Sequence, residues 1–242
     1  MPTASAGTDD LPEPFQSRLI SMYRGEPQTG SDGELHRMDA NTRIAPAQGA
    51  WLYRLCVESK PANTLEIGLA CGYSTVFFLA AIDTNGHGHH TALDPFQGTW
   101  HGIGAAQART LGMSDSFTWT EERSSAGLVH LADRGASFGV IFIDGSHRFD
   151  DALVDFTLAA PMCPIGGHIV LDDLWMAPIR RAVAYIRKNR SDFEEVATPI
   201  GNIAAFRRIA EDERSWNHHV DFWSPWQGLR MRLRAAAFNR HR

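Results

Sequence analysis

Cysteine is scarce: Cys56, Cys71 and Cys163 are all there is. An odd number without a C-x-x-C pair argues against a disulfide framework and offers no zinc-binding pattern. Reduced thiols in a cytoplasmic setting are the expectation. Long apolar runs are also missing, and none nears the roughly 18 consecutive apolar residues of a membrane span. The opening stretch MPTASAGTDDLPEPF lacks the basic and apolar regions of a secretory signal. Positive charge is not in excess either. Against 28 Asp and Glu stand 23 Lys and Arg, a formal net charge of −5, which disfavours wrapping of nucleic acid and favours small-molecule partners. Internal repeats and low-complexity tracts are absent. What remains is 242 residues, 43% hydrophobic and 21% charged, enough for one α/β domain with a sizeable core.

Residues up to about Pro14 read as frayed. A short helix is predicted over 15–23, a polar glycine-bearing loop over 25–43, and a helix over 47–60 with Trp51, Leu52, Leu55 and Cys56 on one side. A repeating unit then begins. Apolar runs at 64–67, 90–93, 117–120, 140–143 and 169–171 alternate with helix-like stretches at 74–82, 103–111, 125–133 and 149–160. This alternation predicts βαβ crossovers and a parallel sheet with helices on both faces, a doubly wound Rossmann-like α/β fold. After a helix near 178–189, the run FEEVATPIGNIAAFRRI reads as an antiparallel hairpin about residues 199–202. The basic tail, with Arg230, Arg232, Arg234, Arg240 and Arg242, could form a helix carrying Leu229, Met231, Leu233 and Phe238 on one side. It is expected to dock on its own domain, or on a second copy in a homodimer, rather than on a membrane.

The first predicted strand ends in Glu66-Ile-Gly68-Leu-Ala70-Cys-Gly72-Tyr73-Ser74. Small residues at 68, 70 and 72 let the backbone turn tightly and approach a ligand, and the next helix offers free N–H groups at its start. A tight strand-to-helix turn without a ligand would look the same. The second strand ends in Leu93-Asp94-Pro95. Asp94 either accepts hydrogen bonds from both hydroxyls of a ribose or simply forms a turn before proline. The loop reads G-x-A-x-G, without the third glycine of the dinucleotide fingerprint, which makes an NAD-dependent oxidoreductase the secondary reading. Glu66 is not needed for a dinucleotide and suits a loop facing a cationic ligand.

LEIGLACGYSTVFFL resembles motif I of the class I S-adenosylmethionine-dependent methyltransferases, and LDPFQGTWHGIG resembles the segment closing their second strand. The resemblance continues through IFIDGSHRFDDALVDF, GGHIVLDDLWMAPIRRAV and NIAAFRR, covering roughly residues 44–208. It is nearest to the small bacterial branch with antibiotic-sugar O-methyltransferases, related to catechol and caffeoyl-CoA O-methyltransferases. It implies a seven-stranded sheet of order 3-2-1-4-5-7-6 with the last strand antiparallel. It also implies S-adenosyl-L-methionine held by Glu66, Gly68, Ala70, Gly72, Tyr73, Ser74, Asp94 and Asp144, with Ser124 near the adenine. Ser124-Ser125 could equally be a helix cap.

Asp144 in IFIDGSH and Asp172-Asp173 in IVLDDLW stand at strand ends. Ligands of open α/β sheets bind at the carboxyl ends of strands. If the fourth and fifth strands are neighbours, as the resemblance implies, three carboxylates meet at one rim. Like charges so close force one acid to stay protonated unless a cation balances them. Oxygen ligands favour magnesium, with manganese or calcium next. Consecutive strand residues face opposite ways, so Asp172 and Asp173 can share an ion only if the strand ends there. Metal-dependent relatives carry an asparagine after the acid, so Asp173 departs from the pattern and could cap the next helix instead. His147, where catechol-type relatives carry a lysine, is a candidate general base, a fourth metal ligand or a plain loop residue.

His87, His89 and His90 read as a solvated loop, and His168 as the opening of the fifth strand. Trp100, Trp175 and Tyr73 could line an acceptor pocket or pack internally. The chain contains no Asn-Pro-Pro-Tyr-like amide-methylating motif. The expected organisation is an N-terminal helix and lid-like segment (1–43), a methyltransferase domain (44–210) and a basic tail (211–242). The expected activity is metal-assisted O-methylation of a small molecule such as a sugar or phenol. The alternatives are an NAD enzyme and a non-catalytic cofactor-binding protein.

Overall fold

The computed structural model describes residues 7–222. The tail helix expected over 227–242 lies outside the described residues. The five apolar runs become five strands, each beginning at most one residue earlier than the sequence pattern placed it.

The chain opens with α1 (Phe15–Tyr23), followed by a small antiparallel pair, β1 (Gln28–Thr29) and β2 (Leu35–His36), and by α2 (Pro46–Ser59). The repeating part runs β3 (Asn63–Ile67), α3 (Tyr73–Asn85), β4 (His89–Leu93), α4 (Ile103–Thr110), β5 (Phe117–Thr120), α5 (Ser124–Asp133), β6 (Val140–Ile143), α6 (Phe149–Ala159), β7 (His168–Leu171) and α7 (Ala177–Asn189). It closes on a hairpin of β8 (Phe193–Val196) and β9 (Ala204–Arg208). The seven-stranded sheet has the order β5-β4-β3-β6-β7-β9-β8, with β9 antiparallel to both neighbours. Counted from β3, this is the order 3-2-1-4-5-7-6. Among the described residues no helix is long and apolar enough to cross a membrane.

Alternation along the strands splits the interior in two. Val140, Phe142, Val170 and Ala205 face a core built with α1, α2 and α3. Ile141, Ile143, Ile169, Leu171 and Phe206 face a second core built with α6 and α7. Helices cover both faces, which is why β6 and β7 read as continuous apolar runs rather than alternating ones. α3 is buried without interruption from Tyr73 to Ile82 and forms the centre of the first core.

Three expectations change. Of the segment before Pro14, the described residues from 7 on are packed rather than frayed: Thr8 and Leu11 are buried, and Gln16 Nε2 donates to the Thr8 carbonyl at 3.1 Å. Phe15, Leu19 and Met22 form one helical stripe, joined by Leu11 from the preceding bend, in the core that contains α3; it is invisible until α3 is known to need a cover. The 25–43 loop contains the β1–β2 pair, tied to the start of α4 by Ser31 N donating to the His101 carbonyl at 3.0 Å. His90 is not in a solvated loop. It is fully buried in β4, with Nδ1 2.8 Å from Thr64 Oγ1 and Nε2 3.1 Å from Glu66 Oε2. His168 does open β7.

Candidate active site

Register decides where the site falls. Ile67 pairs with Leu93 on one side and with Ile143 on the other, and Ile143 pairs with Leu171. The first residues beyond these strands, in the spatial order Asp94, Gly68, Asp144, Asp172, therefore stand in one row at the carboxyl rim. Neighbouring strands are about 4.8 Å apart. Above this row lies a cavity of about 1040 Å³.

The glycine loop forms its floor. Gly68 has φ +95°, and a Cβ there would meet the Asp144 carbonyl oxygen at 2.1 Å, so no side chain fits. Gly72, at φ +80°, caps α3. The loop is held from both sides by carboxylates. Asp94 Oδ2 accepts from Leu69 N at 3.0 Å and Ala70 N at 2.8 Å, and its Oδ1 accepts from Phe96 N at 2.6 Å. Glu66 is fully buried and accepts from the Ser74 hydroxyl, from Thr75 Oγ1 at 2.5 Å, and faces His90 Nε2. Asp94 is thus more than a turn former. It clamps the loop, with Gln97 Nε2 as a fourth donor at 3.4 Å, and still lines the cavity, where among the described residues its Oδ1 accepts only from Phe96 N.

Of the expected cofactor residues, Gly68, Ala70, Ser74, Asp94, Ser124 and Asp144 line the cavity. Glu66, Gly72 and Tyr73 stand behind it. Tyr73 is 3% exposed and its hydroxyl donates to the Met22 carbonyl at 2.9 Å, so it ties α1 to α3 instead of joining an aromatic wall. Trp100 and Trp175 do line the cavity. Ser124 is the first residue of α5 rather than its cap, which is Arg123.

At the other end the acids gather. β7 stops at Leu171, and Asp173 takes a left-handed φ of +61°, so strand alternation no longer separates Asp172 from Asp173. Asp173 does not cap α7, whose cap is Met176. His147 Nε2 lies 2.7 Å from Asp173 Oδ2 and 3.9 Å from Asp144 Oδ1. Asp144, His147 and Asp173 each place one potential ligand atom within 4.8 Å of the others. Asp172 is outside this group. Its Oδ1 accepts from Gln48 Nε2 at 2.6 Å, Asn202 Nδ2 at 2.8 Å and Asp173 N at 2.6 Å.

The charges respond to this crowding. Burial, opposed by the His147 hydrogen bond, pushes the Asp144 carboxyl up to about 6. Burial and then the Asp144 charge push Asp172 up to about 8. The His147 hydrogen bond holds Asp173 below the usual carboxylate range, and Asp144 and Asp173 together raise the imidazole to about 10. Without another cation, His147 is the positive charge of the cluster.

Gln48, Asn202, Phe96, Arg123 and Asp155 also line the cavity and were not legible in the sequence. Gln48 reaches Asp172 across 124 positions, and no local pattern marks such a pair.

A strand order of 3-2-1-4-5-7-6 with an antiparallel penultimate edge, and a ligand-sized cavity at the carboxyl rim, define the class I methyltransferase architecture; the classical dinucleotide fold lacks the inserted antiparallel strand. Residues 65–174 match the family described as a methyltransferase domain. No curated protein matched the chain. Among solved structures it is similar to an O-methyltransferase from Bacillus cereus in complex with SAH (20% identity, TM-score 0.61, 71% of this chain and 84% of that one). It is also similar to the O-methyltransferase TomG of tomaymycin synthesis from Streptomyces achromogenes in complex with SAM (19% identity, TM-score 0.61, 71% and 83%). A third is an SAH-bound methyltransferase from Podospora anserina (16% identity, TM-score 0.60, 70% and 81%). At these identities the likeness is one of fold. The NAD reading finds no support in any of them.

Proposed function

We propose that the chain transfers the methyl group of S-adenosylmethionine to a hydroxyl of a small molecule, with a divalent cation at the acidic rim. One observation carries the reading: the glycine loop and the Asp144–His147–Asp173 cluster share a single cavity. Its volume, about 1040 Å³, is ample for a cofactor and a modest acceptor together. That the Bacillus and Streptomyces proteins are O-methyltransferases supports the acceptor chemistry.

The loop 68–72 and Ser74 would hold the amino-acid end of the cofactor, Asp94 its ribose and Ser124 its base. Asp144 and Asp173 would hold the cation, with Asp172 beside them. The residues fit one. Burial and mutual repulsion leave two carboxyls with raised pKa, the condition that a bound cation relieves. When bound, the cofactor supplies a methyl group activated by its sulfonium, and the ion supplies Lewis acidity at the acceptor oxygen.

The protein contributes proton handling and placement. His147, in its neutral form, accepts the hydroxyl proton, and Asp173 at 2.7 Å fixes the ring's orientation. Gln48 and Asn202 hold Asp172 in one rotamer. Trp100 and Trp175 line the cavity, and Trp175 Nε1 donates to Asp173 Oδ1 at 2.7 Å. Positioning of this kind can supply about 7–11 kcal/mol of barrier reduction.

Isothermal titration with S-adenosylhomocysteine, with and without magnesium, tests the cofactor first; no heat of binding in either condition overturns the reading. Screening phenols and sugars for methylation then supplies an acceptor. Turnover undiminished in excess EDTA would remove the cation from the mechanism and leave His147 and the carboxylates as a metal-free base system.

A further inference from the structure

Trp175 is 67% exposed, so burial does little to hold its ring. It is nonetheless fixed at three points. Its backbone N–H donates to Asn202 Oδ1 at 3.1 Å, its carbonyl accepts from Arg180 Nη1, and its Nε1 donates to Asp173 Oδ1 at 2.7 Å. The turn that carries it is clamped as well: Leu174 N donates to the Asn202 carbonyl at 2.9 Å, and Met176 N to the Asp173 carbonyl at 2.8 Å. A large indole held at the surface mainly by polar contacts points to a use for its N–H.

The acid that receives this N–H has little else to orient it. Asp172 has three donors on Oδ1, whereas Asp173 stands past the end of β7 in a left-handed turn. Asn202 Nδ2 reaches Asp173 Oδ1 only at 3.5 Å, so the indole makes the short bond there. Oδ2 is the oxygen on the His147 side, 2.7 Å from Nε2. A carboxylate free to rotate offers an ion either oxygen or both. With Oδ1 engaged, Oδ2 is presented in one direction. Donors behind metal ligands act in this way, fixing orientation, and their removal weakens metal binding.

We propose that Trp175 is a positioning residue for the rim cation: its indole N–H holds Asp173 Oδ1 so that Oδ2 alone turns to the ion. The proposal rests on reading the rim as a cation site. Indole and carboxylate together do what a side-chain amide does alone, with an N–H at one end and a single ligand oxygen at the other. An amide at 173 therefore makes the indole N–H unnecessary.

Calorimetric titration of manganese into the full chain, without acceptor, reads this independently of turnover. Trp175→Phe keeps a ring and removes the donor, and should weaken binding about tenfold. Trp175→Leu, which also lacks a donor, serves if the first variant does not fold. In an Asp173→Asn background the same substitution should lower affinity by less than about twofold, or raise it, because the amide no longer meets a facing N–H. Unchanged affinity in Trp175→Phe overturns the proposal. So does an equal loss in both backgrounds, the result expected if Trp175 only packs the turn. An Asp173→Asn chain that binds no manganese overturns it too, since an amide then cannot replace carboxylate and indole. Absence of binding to the wild type overturns the cation reading itself, and the proposal with it.

Discussion

His147 Nε2 has two carboxylates around it, Asp173 at 2.7 Å and Asp144 at 3.9 Å, and they hold the ring protonated, its pKa raised to about 10. A protonated imidazole cannot accept a proton, so the catalytic rate should rise with pH as the ring is neutralised. Asp173→Asn removes the nearer charge and should lower the ring's pKa toward 6.5, the ordinary histidine value. An NMR titration of the imidazole in metal-free protein reads this directly; no movement would separate His147 from Asp173. With an acceptor in hand, His147→Ala should lower kcat by about 10²- to 10⁴-fold and spare S-adenosylhomocysteine affinity. Asp94 carries a double duty that the sequence divided into alternatives. Because it holds Leu69 N and Ala70 N as well as facing the cavity, Asp94→Ala should weaken S-adenosylhomocysteine binding by at least about 1.5–3 kcal/mol. Calorimetry of a folded variant with unchanged affinity would take Asp94 out of the site.

α1 changes the meaning of the N-terminal segment. Leu19 and Met22 are fully buried, Tyr73 donates to the Met22 carbonyl, and Tyr23 donates to the Ile44 carbonyl at 3.0 Å. The helix packs on α3 within the first core. Leu19→Ala should therefore cost about 2–5 kcal/mol in chemical denaturation, as for other buried leucines. Truncation near residue 45 would strip this cover and unfold the first core, so it does not report on closure over the cavity. The 39–45 segment, which lines the cavity, is separable from α1 by point substitution. Arg43 is exposed and lines the cavity. Arg43→Ala should change stability by no more than about 0.5 kcal/mol, leave S-adenosylhomocysteine affinity intact and raise the acceptor KM. An unaltered KM would show that this segment does not touch the acceptor.

Across the whole molecule, the raised carboxyls make stability depend on pH. Asp144 and Asp172 stay protonated in the folded state up to about 6 and about 8, whereas in the unfolded chain they ionise near their ordinary value of 3.8. Between those values the folded state binds more protons than the unfolded one, so stability falls as pH rises from about 4 to 8. A divalent cation at the rim opposes that loss. Magnesium should therefore raise the thermal midpoint little at pH 5.5 and clearly more at pH 8, and Asp144→Asn should remove most of the difference. An equal shift at both pH values would argue against binding by these acids.

The sequence by itself determined the strands and helices from α2 to α7 to within about three residues at their ends, the seven-stranded order through its resemblance, and the positions of Gly68, Asp94, Asp144, Asp172 and Asp173 at strand ends. These follow from signals carried within a few residues: a period near 2 or 3.6, glycine at turns, and acids directly after apolar runs. Tertiary structure alone decided the partners. Register set Asp144 beside Asp172, a left-handed turn brought Asp173 to His147, and helix packing placed Gln48 on Asp172 from 124 residues away. It also buried His90 against Glu66 and left Asp155 Oδ2 without a donor among the described residues. Hydrogen-bond partners are chosen by where elements stack on the sheet, and stacking depends on the summed burial of both cores rather than on any local pattern.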